Sequence, residues 1–156
     1  MVLPNRLHCL LDLCLPGLPL WDLCCDHGYL GLFALNNSSY SEVIFNDVVP
    51  HVLANLPGKF AGRPARVICG PAEDIAEPLT GNVVIAGVGG EKILKILLAH
   101  TRRSTLRAKR IAVCPEKDAE WMIAQEVPGY RIVSQREISH NRGTRWIVAY
   151  ESIGPL

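Results

Sequence analysis

Asp22-Leu23-Cys24-Cys25-Asp26-His27-Gly28-Tyr29 is the stretch on which the fold turns. It follows Pro19 to Leu23, an apolar run that reads as a short buried strand. It precedes Gly28 to Leu35, which reads as a helix. A strand feeding a helix through a short loop opens a β-α-β unit. Asp22 places an acid near the strand end, and positions 24, 26 and 28 follow at two-residue spacing. In an acidic-x-Gly-x-Gly-x-Gly loop all three would be glycine. Here Cys24 and Asp26 stand at the first two and Gly28 at the third. Cys24 must therefore tolerate a tight turn that glycine would make without strain.

Working outward, residues 5 to 14 carry Leu7, Leu10, Leu11 and Cys14 at helical spacing, with Asn5 as N-cap and Pro16 as stop. Asn36, Asn37 and Ser38 should end the second helix. Glu42 to Asn46 reads as a second strand ending at Asp47, and Pro50 to Leu56 as a helix with proline in its first turn. Arg66 to Cys69 and Asn82 to Ala86 are further strands, the latter running into Gly87-Val88-Gly89-Gly90. Glu91 to Ala99 is a helix with Ile93, Leu94, Leu97 and Leu98 on one face. Arg110 to Cys114 is a strand halted by Pro115, and Asp118 to Glu126 a short helix. Tyr130 to Ile138 and Thr144 to Glu151 form a hairpin around Ser139 to Gly143. Five strands separated by helix-length segments predict a doubly wound α/β sheet. The hairpin adds an antiparallel edge. Seven strands in this order describe the Rossmann-like sheet of class I methyltransferases, which bind S-adenosyl-L-methionine, better than a dinucleotide-binding dehydrogenase.

The 156 residues suit one domain, 1–156, with nearly half of them hydrophobic and a fifth charged. The net charge of +1 hides an asymmetry. Residues 1 to 91 hold four basic and nine acidic side chains, and residues 92 to 156 hold twelve and six. Such a split fits a basic face for a polyanion or two differently solvated faces. The six cysteines form no Cys-x-x-Cys pair, so no structural zinc site is expected, and they read as free thiols in a reducing compartment. Pro4, Arg6, Asp12, Pro16 and Pro19 interrupt the apolar N-terminal stretch, so neither a membrane span nor a signal peptide is read there. A cytoplasmic protein is expected.

Ligands in open α/β sheets sit beyond the carboxyl ends of the strands. Asp47, at the end of the second strand, is placed to accept hydrogen bonds from ribose hydroxyls. Gly87 to Gly90 allows close approach of backbone to a ligand. His27 beside Asp26 could act in proton transfer or position a substrate, or be structural. Small apolar strand positions account for Cys24 and Cys25 better than nucleophilic or metal-binding roles. Thr101 to Arg110 packs Arg102, Arg103, Arg107, Lys109 and Arg110 into ten residues, either a phosphate-binding patch or a solvated basic loop. Arg142 and Arg145 add to the same half.

Asp22 to Leu30, Ile85 to Gly90 and Cys114-Pro115 together resemble the bacterial tRNA (adenine(22)-N1)-methyltransferase (TrmK) family. That family reads Asp-Ile-Gly-Thr-Asp-His-Ala-Tyr-Leu, Ile-Ala-Gly-Met-Gly-Gly and Gln-Pro-Asn in these places. Arg6-Leu7 matches an Arg-Leu near its N-terminus. The resemblance runs from about residue 6 to 150. It implies S-adenosyl-L-methionine as cofactor and N1 of an adenine in tRNA as the methyl acceptor. Asp22, Cys24, Asp26, Gly28, Asp47, Val48, Gly87 and Val88 fall at its cofactor-pocket positions. His27, Asp26 and Tyr29 fall beside the transferring methyl. Gly89, Gly90 and Pro115, with Arg102, Arg103 and Arg107, would meet the substrate. Pro71 replaces an aspartate that helps hold the cofactor adenine, leaving that task to Ala72, Glu73 or Asp74. Glu116 replaces an asparagine. Many members continue into a helical C-terminal domain that grips tRNA, so the sequence reads as a short form. A small-molecule methyltransferase and a non-catalytic binding module on the same fold remain the alternatives.

Overall fold

The computed structural model describes residues 3–37 and 40–156. Its strands are Leu20–Leu23 (β1), Val43–Asp47 (β2), Ala65–Cys69 (β3), Leu79–Ala86 (β4), Leu106–Cys114 (β5), Tyr130–His140 (β6) and Gly143–Ser152 (β7). Its helices are Asn5–Asp12 (α1), Tyr29–Asn37 (α2), Pro50–Leu53 (α3), Gly90–Arg102 (α4) and Ala119–Ile123 (α5), with single 3-10 turns at Pro57–Lys59 and Ala72–Asp74. The sheet order is β3-β2-β1-β4-β5-β7-β6. The pairs β3-β2, β2-β1, β1-β4 and β4-β5 are parallel, whereas β7 pairs antiparallel with both β5 and β6. The hairpin is thus not a simple edge addition. Its second strand, β7, inserts beside β5 and leaves β6 outermost.

Each sheet face buries its own core. On one, α4 and α5 bring Ile93, Ile96, Leu97 and Met122 onto Leu23, Val83, Ile85 and Val113. On the other, α1, α2 and α3 bring Leu10, Leu30, Leu32 and Leu53 onto Leu20, Phe45 and Val84. β1 is fully buried because it is flanked by β2 and β4 and covered on both faces, which explains its unbroken apolar run. The chain winds one way from β1 to β2 and the other from β4 to β5, so the crevice between β1 and β4 is the switch point.

Several boundaries move from the sequence reading. α1 ends at Asp12, and Asn5 is its first residue, with Pro4 at the N-cap. α2 absorbs Asn36 and Asn37; Ser38 lies outside the described residues. The Pro50 helix is one turn long. The largest change concerns Thr101 to Arg110, which is not a loop. Thr101 and Arg102 close α4, and Leu106 to Arg110 open β5. The signal was present in the alternation of buried Leu106 and Ala108 with exposed Arg107 and Lys109.

Candidate active site

The carboxyl ends of β1, β2 and β4 and the loop after β5 enclose a cavity of about 440 Å³. Asp22, Cys24, Cys25, Asp26, His27, Tyr29, Asp47, Val48, Ala72, Gly87 and Val88 line it, together with Arg6, Leu7, Leu30, Asn46, Ala86, Lys92 and Glu116.

The loop after β1 explains its own sequence. Cys24, Asp26 and Gly28 have φ of 56°, 51° and 75°. All three positions of the glycine pattern are left-handed although only one is glycine. Aspartate tolerates this region; cysteine does so under strain. The loop is held from outside. Asp47 Oδ2 accepts the Asp26 N–H at 2.8 Å, and the Asn46 carbonyl accepts the Cys25 N–H at 2.8 Å. Asp47 Oδ1 also accepts from Val48 and Val49 N–H, at 2.8 and 3.2 Å. A carboxylate has about four acceptor sites, so roughly one lone pair remains for a ligand hydroxyl. Asp47 is therefore first a clamp between the β1 and β2 loops, and only second a ribose acceptor.

Asp22 is buried and its Oδ2 accepts the Gly31 N–H at 3.0 Å. Burial pushes its carboxyl up to about 7, with the Gly31 bond opposing and the charge of Asp47 adding. A cation in the cavity would favour its ionised form. Burial, then the charge of Asp47, raises the Cys24 thiol to about 12. Cys25 is raised further, again mainly by burial. Neither is a nucleophile at neutral pH. The cysteines described are all free, and no cluster of metal-binding side chains occurs among the described residues.

His27 and Tyr29 stand at the mouth, their rings 5.6 Å apart and tilted by 35°. His27 Nε2 lies 3.8 Å from Asp26 Oδ1. Tyr29 is 46% exposed, unusual for an aromatic ring, and available for stacking.

Other expected residues lie elsewhere. The Glu73 carboxylate is engaged by Lys92 Nζ at 2.8 and 2.9 Å and does not line the cavity. Ala72 does, and its carbonyl accepts from His100 Nε2 at 2.8 Å. Thr105 Oγ1, 2.7 Å from His100 Nδ1, completes the buried imidazole's bonding. Gly28 turns the chain rather than touching the cavity: a Cβ there would meet Leu56 at 2.8 Å. Gly89 caps α4, and Gly90 donates to the Lys117 carbonyl at 2.9 Å. A Cβ on Gly90 would meet the Asp118 carbonyl at 2.6 Å, so this glycine serves packing and not substrate contact. Pro115 is buried, and its neighbour Glu116 faces the cavity. Arg102 and Arg103 close α4 and Arg107 lies near the start of β5, and none of the three lines the cavity. Arg103 is also committed to the Glu73 and Ile75 carbonyls at 2.5 and 3.3 Å. The three arginines are not at the mouth.

Arg6, Leu7 and Lys92 were not singled out as pocket residues from sequence, and Asn46 and Glu116 only as strand-end positions. Asn46 and Glu116 were within reach of the strand-end rule, each sitting at or just past a carboxyl end. Nothing local marks Arg6, which arrives from α1.

A Rossmann-like sheet with this loop and a cavity at its switch point is the architecture of a nucleotide-cofactor-binding protein. The chain belongs to the methyltransferase domain family, whose model matches residues 3–142. Among solved structures, TrmK of M. capricolum in complex with S-adenosyl-homocysteine is 19% identical, with a TM-score of 0.79 over 97% of this chain and 70% of that one. The B. subtilis m1A22 tRNA methyltransferase TrmK is 17% identical, with a TM-score of 0.76 over 97% and 67%. Sp1610 of Streptococcus pneumoniae, in complex with S-adenosyl-L-methionine, is 17% identical with a TM-score of 0.76 over 97% and 73%. At these identities the likeness shows the shared fold. No curated protein sequence matches the chain.

Proposed function

We propose that this chain transfers a methyl group from S-adenosyl-L-methionine to N1 of an adenine in tRNA. The carrying observation is the joining, in one cavity, of the left-handed Cys24 to Gly28 loop and Asp47 with the exposed His27–Tyr29 pair at its mouth. The cavity suits the cofactor: carboxylates at Asp22 and Asp47 for its cationic and hydroxyl groups, and an apolar wall at Val48 and Ala72 for its base. Likeness in fold to the TrmK structures over nearly the whole chain supports the same reading.

The bound cofactor supplies a methyl group already activated on a sulfonium. The acceptor nitrogen carries its own lone pair, so the chain's task is chiefly alignment. The target base has to leave its stack to reach the mouth. Tyr29 packs against it, and Asp26 or His27 orients its exocyclic amine or takes up the proton later lost. Phosphates are gripped at the β6–β7 tip. Val113 pairs with Val148, so Gly143 to Trp146 run past the carboxyl end of β5. Arg145 lies on that overhang of β7, and His140 ends β6 at the same tip. Arg142 sits in the turn beside them.

The alternative of a small-molecule acceptor draws on the remoteness of Arg102, Arg103 and Arg107 from the mouth. Transfer assays on His27→Ala and Asp26→Ala with tRNA test the assignment. Each should lose at least about tenfold, as expected for a positioned acid–base or orienting group. Full activity in both would refute it.

A further inference from the structure

Two cations line the cavity, Arg6 and Lys92. Lys92 is neutralised by Glu73 at 2.8 Å. Arg6 makes no hydrogen bond or ion pair with another described residue, and its Nη1 is buried without an acceptor. A buried N–H without an acceptor is costly, and a guanidinium has donors only, so the site is complete only when an acceptor arrives. Asp22, Asp26 and Asp47 line the same cavity from β1, β2 and the loop after β1, and Glu116 from the loop after β5. The pocket is thus rich in carboxylates, and among its described lining residues Arg6 is the one Lys or Arg without a carboxylate partner.

We propose that Arg6 binds the α-carboxylate of the methionine moiety of S-adenosyl-L-methionine. This rests on the cofactor reading above. The ligand's ammonium and sulfonium then face the aspartates while its carboxylate meets the guanidinium, a planar fork suited to a two-oxygen anion. Because Arg6 holds no other element in place, its replacement should leave the fold intact.

Calorimetry on the full chain with S-adenosylhomocysteine, its decarboxylated analogue and 5′-methylthioadenosine tests the assignment. Arg6→Gln should weaken S-adenosylhomocysteine by about 10- to 100-fold, the range for a charge-assisted pair. It should leave the two carboxylate-free ligands unchanged, and Arg6→Lys should restore part of the loss. Equal weakening of all three ligands, or no weakening of S-adenosylhomocysteine, overturns the proposal. A loss confined to tRNA affinity also overturns it, assigning Arg6 to a phosphate instead. If the unaltered chain bound no S-adenosylhomocysteine, the cofactor reading itself would fail, a distinct result.

Discussion

Cys24 is the residue at which backbone and side chain disagree. Its φ of 56° is a value for glycine, and the loop imposes it because Asp47 and Asn46 hold the neighbouring amides. A left-handed non-glycine residue costs roughly 1–2 kcal/mol. Cys24→Gly should therefore stabilise the protein by about 1 kcal/mol, less the entropy glycine adds to the unfolded chain. That corresponds to about 2–4 °C in Tm, readable by calorimetry, and a lower Tm would contradict the strain. Asp22 is the second such residue. Its folded-state pKa near 7 lies above its ordinary value, so it favours the fold while protonated. That contribution is full below about pH 4 and is lost as pH rises through about 7. Asp22→Asn keeps an acceptor for Gly31 and cannot ionise. Its stability relative to the parent should rise by roughly 2–3 kcal/mol between pH 5 and 8 in urea unfolding. A difference independent of pH would remove Asp22 as the titrating group.

Among the elements, α2 contributes Tyr29 and Leu30 to the cavity and packs closely on β2. A Cβ on Gly31 would lie 2.3 Å from Phe45 Cε1. Gly31→Ala should cost about 1–3 kcal/mol by overpacking, and adding Phe45→Leu should recover part of it. Equal stability of Gly31→Ala and the parent would contradict that contact. The elements themselves were legible, because β1, β2 and the second half of β5 show as compact apolar runs and α4 as a clear helical stripe. Their ends were not. Arg102 continues α4 because nothing after Ala99 breaks a helix, and Arg107 belongs to β5 because its neighbours are buried. The insertion of β7 between β5 and β6 is set by long-range pairing, which no local pattern encodes. His100 carried no sequence signal either. Its meaning comes from a carbonyl 28 residues away.

At the scale of the molecule, the charge asymmetry was legible but its address was not. The stretch at 101–110 closes α4 and opens β5, while Arg142 and Arg145 lie at the β6–β7 tip, past the carboxyl end of β5. Arg142→Ala and Arg145→Ala should each weaken tRNA binding and reduce the slope of log K against log salt by about 1. Arg102→Ala and Arg107→Ala should leave the slope unchanged. The reverse pattern would put the nucleic acid on the other end of the sheet. The described helices include none long and apolar enough to cross a membrane.

The strand-end residues that line the cavity were the most legible part of the candidate site, since strand ends are fixed by topology. Arg6 was least so, because it reaches the cavity from α1 and not from a strand end. The central claim is methylation of N1 of adenine. It is tested by incubating the chain with labelled S-adenosyl-L-methionine and bulk tRNA, then analysing the digested nucleosides. The account predicts label in 1-methyladenosine, abolished by excess S-adenosylhomocysteine. Label in another nucleoside, or none in tRNA while the cofactor product binds, would contradict it.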